Sequence, residues 1–110
     1  MSAPKDARAG GTEAVLVMRH MFVSGKVQGV FYRKHTQRAA VQYGVTGWVR
    51  NTADGRVEIM AEGTPEQVDK LEMWCHTGSP KSMVKAVVRE KVAAEQPLVM
   101  RRFDVFSVVK

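Results

Sequence analysis

The chain predicts one α+β domain, and three observations carry that prediction. Two segments repeat apolar residues at the helical period, five are strand-like and rich in β-branched residues, and their order is β-α-β-β-α-β with one extra strand at the C-terminal end. The first strand is Val15 to Ser24. Val15, Val17, Met21 and Val23 fall on one side of it and Leu16, Met18 and Phe22 on the other, as in a strand buried for much of its length. Gly25-Lys26-Val27-Gln28-Gly29 interrupts it, and two glycines four apart permit backbone conformations that side chains forbid.

From Arg33 the period changes. Thr36, Ala39, Ala40 and Tyr43 make one helical stripe, and Gly44 stops it. Val45 to Asn51 and Arg56 to Glu62 are the next strands, joined by the turn-forming Asn51-Thr52-Ala53-Asp54-Gly55. Val57, Ile59 and Ala61 point one way along the second of these. Glu58 and Glu62 point the other, toward what is expected to be a solvated sheet surface. Thr64-Pro65-Glu66-Gln67 opens the second helix with a capping residue, a proline at the first helical position and a capping-box glutamine. Val68, Leu71 and Cys75 form its inner face, and Gly78-Ser79-Pro80 ends it. Met83 to Ala93 and Phe103 to Val109 complete the strands, with Glu95-Gln96-Pro97 as the turn between them. Two helices on one face of an antiparallel sheet, with an extra C-terminal strand, make a ferredoxin-like sandwich the economical arrangement.

Length and composition set bounds on this reading. With 110 residues and a 45% hydrophobic fraction, the chain has apolar material for one core. Residues 1–14 have no apolar run and are expected to be a flexible tail, leaving 15–110 as the domain. No stretch reaches the roughly 20 apolar residues of a membrane span and no targeting signal is read, so a cytoplasmic protein is expected, and a small compact domain is expected to be monomeric. The lone Cys75 excludes an internal disulfide and a multi-cysteine metal site. His20, His35 and His76 have no ligand spacing, so structural or solvated roles are expected of them rather than metal binding. The net charge of +6 suits an anionic partner, with Arg33, Lys34 and Arg38 crowding the first helix.

A glycine-containing turn between a strand and a helix can converge backbone N–H groups on an anion, helped by the helix N-terminus. Arg33 can add a planar guanidinium fork at the same place. By pattern alone, a plain bend beside a surface arginine fits as well. Longer motifs separate the two. Val23-Ser24-Gly25-Lys26-Val27-Gln28-Gly29-Val30-Phe31-Tyr32-Arg33 resembles the first signature of the acylphosphatase family, apart from Tyr32, where phenylalanine is usual. Gly47-Trp48-Val49-Arg50-Asn51, followed by Gly55-Arg56-Val57 and Gly63, resembles the second. Arg33-Lys34-His35-Thr36-Gln37, Gly78-Ser79-Pro80-Lys81-Ser82 and Phe106-Ser107-Val108-Val109-Lys110 look most like the vertebrate muscle-type members.

The resemblance implies metal-free, cofactor-free hydrolysis of acyl phosphates. It assigns phosphate binding to Arg33 and water positioning to Asn51. Backbone N–H groups would come from the loop Gly25, Lys26, Val27, Gln28, Gly29 and Val30, and Thr52 would help to orient Asn51. Two other functions are weighed against this. A binding module without catalysis could dispense with Asn51, which this chain keeps. An RNA-binding sheet needs aromatics in its central strand, whereas Arg56–Glu62 reads Arg-Val-Glu-Ile-Met-Ala-Glu; no nucleic-acid partner is expected.

Overall fold

The computed structural model describes residues 15–91 and 94–110; the expected tail, 1–14, lies outside the described residues. The elements are β1 (Leu16–Lys26), α1 (Tyr32–Tyr43), β2 (Thr46–Asn51), β3 (Val57–Gly63), α2 (Pro65–Thr77), β4 (Met83–Arg89), β5 (Glu95–Leu98) and β6 (Phe106–Val109). They make a six-stranded sheet of order β4-β1-β3-β2-β6, with β5 also paired to β1. The fold is the expected ferredoxin-like α+β sandwich. No helix among the described residues is long and apolar enough to cross a membrane.

Alternation sorts the long central strand. Val17, Met21 and Val23 of β1 meet Val57, Ile59 and Ala61 of β3 and Val49 of β2 in the core, covered by Ala39 and Ala40 of α1 and Val68, Leu71 and Cys75 of α2. Arg19 lies on the same face. It is buried, but bridges Asp69 and Glu72 of α2 at 2.7 and 2.8 Å and Glu95 of β5 at 2.5 Å, so its charge is fully partnered. The second helix starts as its sequence predicts: Thr64 Oγ1 accepts from Gln67 N–H while Gln67 Oε1 accepts from Thr64 N–H.

Three expectations need correction. Glu95-Gln96-Pro97 is strand, not turn, because β1 is long enough to pair β4 along Met21–Lys26 and β5 along Leu16–Arg19. Glu58 and Glu62 are buried rather than solvated. Glu62 accepts from Thr46 Oγ1 and from the N–H groups of Arg102 and Phe103, and Glu58 binds Arg50 at 2.7 Å and His20 at 2.6 Å. The sheet is also not wholly antiparallel, since β6 runs parallel to β2. Arg101 Nη1 donates to Gly44 O and Thr46 Oγ1, and Gly47 N–H donates to Val105 O. The incoming chain is therefore anchored where β2 begins, and β6 can only run alongside it in the same direction.

The pairing of β1 with β4 shifts register between Ser24 and Gly25. Gly25 has φ +120, and a Cβ there would lie 2.2 Å from Met83 O and 2.6 Å from Lys85 N. Both are backbone atoms and cannot yield as a flexible side chain would. Gly25→Ala is expected to lower stability by roughly 2–4 kcal/mol, read from urea unfolding. A loss below ~0.5 kcal/mol would mean that the bulge tolerates a side chain.

Candidate active site

The end of β1, the start of α1, the end of β2 and β6 meet at a cleft of about 270 Å³. It is lined by Val27, Gly29, Phe31, Tyr32, Arg33, Lys34, Asn51 and Val108. Between β1 and α1, Gly29 has φ +75 and Phe31 φ +58. Positive φ at two residues two apart bends the backbone sharply just before α1. The N-cap side chain of α1 makes no capping bond and the first turn holds no acidic residue, so among the described residues nothing there competes for an anion.

Arg33 lies in that first turn. Its Nη1 donates to Val109 O at 3.0 Å, and most of its five N–H donors have no partner among the described residues. Asn51 reaches the cleft from the last position of β2, and its Oδ1 is buried without a hydrogen-bond partner among the described residues. Buried acceptors are normally satisfied, so an orphan in a cleft marks a position where a donor belongs.

Arg33, Asn51, Val27 and Gly29 line one cleft, whereas the other residues singled out in the sequence sit around them. Gly25 and Lys26 are still paired strand, opposite Val84 and Met83, so the loop proper begins at Val27. Val27 is almost wholly buried and anchors the loop in the core. Gln28 turns its side chain away: Nε2 donates to Thr52 O (2.9 Å) and Arg56 O (2.8 Å), tying the loop to the β2–β3 turn. Val30 O accepts from Ser79 Oγ at 2.9 Å. Thr52 Oγ1 accepts from Arg56 N–H at 3.0 Å and lies within reach of Asp54, with no described bond to Asn51. Hydrogen bonds from Arg56 and Thr52 hold the Asp54 carboxyl at about 2, so it stays charged across the turn. Thr52 therefore shapes the turn that follows Asn51.

Phe31, Lys34 and Val108 line the cleft without having been singled out in the sequence. Phe31 and Lys34 flank the arginine and could have been found by proximity. Val108 could not, because only the parallel pairing of β6 brings it there. Tyr32 is buried and its hydroxyl donates to Cys75 O at 2.9 Å, joining α1 to the end of α2. Burial, with the nearby Cys75, pushes its phenol above the ordinary range. Cys75 is itself buried, and its thiol is pushed up to about 12, chiefly by desolvation; it is a core residue and no nucleophile. Trp48 lies outside the cleft, with the Arg50 guanidinium 5.2 Å from its ring centre. Among the described residues no group of three His, Cys, Asp or Glu side chains could hold a metal ion.

The acylphosphatase family model matches residues 19–105, most of the chain and all of the cleft except Val108. The chain belongs to the acylphosphatase family. An acylphosphatase of Nostoc is 44% identical over 98 residues, covering 89% of this chain and 94% of that protein. An acylphosphatase of Marinobacter nauticus is 52% identical over 77 residues, 70% of this chain and 84% of its own. The solved structure of an acylphosphatase from Coxiella burnetii superposes with a TM-score of 0.73 at 32% identity, covering 87% of this chain and 94% of that one. This acylphosphatase therefore hydrolyses the carboxyl–phosphate bond of acyl phosphates, releasing a carboxylate and inorganic phosphate.

Proposed function

We propose that hydrolysis proceeds by in-line attack of a water aimed by Asn51 on a phosphoryl group held by the loop Gly25–Val30 and Arg33. The observation that carries this reading is that Asn51, whose buried Oδ1 has no partner among the described residues, lines the same cleft as Arg33 and Gly29. A carboxamide is not a base at neutral pH, but its oxygen can accept from water while its nitrogen donates to a phosphate oxygen. The leaving group is a carboxylate, stable without protonation, so the protein's tasks are placement and charge dispersal. Arg33 and loop N–H groups supply the second, and the water's proton passes to a phosphate oxygen. The bond from water to phosphorus forms as the bridging P–O bond breaks, with its electron pair leaving on the carboxylate. Within the loop, the N–H donors are those from Val27 onward; Gly25 and Lys26 set their position. Gln28 and Thr52 fix the distance between loop and Asn51.

The enzyme is further proposed to act as a cytoplasmic monomer whose catalytic domain is residues 15–110, without metal, cofactor or nucleic-acid partner. Among the described residues, those lining the cleft include no carboxylate or imidazole that could serve as general base. Benzoyl phosphate turnover is therefore expected to persist with a chelator present, to show no histidine-like rise in kcat between about pH 6 and 8, and to be inhibited competitively by inorganic phosphate. Loss of activity with chelator, or purely non-competitive inhibition, would overturn this reading.

A further inference from the structure

Phe31 is anomalous in three independent ways. Among the described residues it is the one non-glycine with a positive φ, a conformation in which any side chain is strained relative to glycine. It occupies the N-cap of α1, where a short polar residue would satisfy a backbone N–H and where Phe31 makes no side-chain bond. The residue is 75% exposed, outside the core cluster, at the wall of the cleft. Local stability favours glycine or a capping residue at this position. An aromatic ring there has a use only if something apolar packs on it.

The substrate supplies such a group. Phe31 lies between Gly29 and Arg33 and lines the same cleft, beside the site proposed for phosphorus. One bridging oxygen separates phosphorus from the carbonyl carbon, which puts the first atoms of the acyl chain within reach of the same rim. Val108 of β6 adds a second, partly exposed apolar wall. From these features, and resting on the phosphoryl-site reading above, we infer that Phe31 is the acyl-side specificity residue. With Val108 it receives the carboxylic part of the substrate and selects acyl phosphates carrying aromatic or bulky apolar groups over small ones.

The test compares kcat/KM for benzoyl and acetyl phosphate in wild type, Phe31→Gly and Phe31→Leu. Glycine keeps the loop N–H and suits the backbone, and leucine keeps an apolar contact without the ring. Phe31→Gly is expected to lower the benzoyl-to-acetyl ratio about tenfold, mostly through KM for benzoyl phosphate, with Phe31→Leu between the two. A ratio within twofold of wild type in both variants would overturn the inference, whether the rates fall together or stay unchanged. That result would leave the phosphoryl-site reading standing, because wild type would still turn over acetyl phosphate. If wild type hydrolysed neither compound, that reading would fall and this inference with it.

Discussion

Asn51→Ala is expected to lower kcat by about 10²–10³-fold while leaving KM nearly unchanged. The reason lies in what Asn51 would touch: a water and a phosphoryl oxygen whose charge changes in the transition state, with the ground state held chiefly by the loop and Arg33. The same substitution removes a buried acceptor that has no partner among the described residues. Such an acceptor costs roughly 1–3 kcal/mol, so the variant is expected to be as stable as wild type or slightly more so. Steady-state kinetics on benzoyl phosphate and a thermal melt measure both effects. A variant that turns over normally would remove Asn51 from the mechanism. One that loses activity only by unfolding would make it a structural residue.

Arg33→Ala is expected to lose about 10³-fold or more in kcat/KM, with kcat and KM both affected and inhibition by inorganic phosphate largely abolished. The guanidinium would meet the phosphoryl group before and during reaction, so its removal acts on both states. Its bond to Val109 O contributes about 1 kcal/mol or less at this exposed position, and the melt should move only slightly. Arg33→Lys separates charge from geometry. Lysine keeps the charge but cannot offer the two parallel N–H donors of a guanidinium, so its activity is expected to lie between alanine and wild type. Equal activity in Arg33→Lys and wild type would reduce the role of Arg33 to that of a point charge.

The sites of greatest legibility in the sequence were those where local chemistry has one outcome. Thr64-Pro65-Glu66-Gln67 is a helix start wherever it occurs, and α2 starts there. Val57, Ile59 and Ala61 alternate into the core because a strand leaves them no other face. The meeting of the Gly25–Val30 region with Arg33 could also be read, since the residues are neighbours along the chain. Glu58 and Glu62 were misread for the opposite reason. Alternation sent them to the outer face, but whether water reaches that face depends on Arg50, His20 and the segment at Arg102 and Phe103. Glu95-Gln96-Pro97 has turn-forming composition, yet the free edge of β1 recruits it as strand, on the sheet edge where proline's missing N–H is tolerated.

The sequence by itself determined the order of elements from β1 through β4, the inner faces of α1, β3 and α2, and the glycine-rich turn leading to Arg33. Period, caps and turn residues act over a few positions and need no distant partner. Only the tertiary structure decided that Asn51 joins that turn with its oxygen unpartnered, that Gln28 ties the loop to the next hairpin, and that Val108 completes the cleft beside Phe31. Each of those is a contact between segments far apart in the chain. For Val108 it exists because β6 runs parallel to β2 and finishes beside the start of α1, a packing outcome that no local signal encodes.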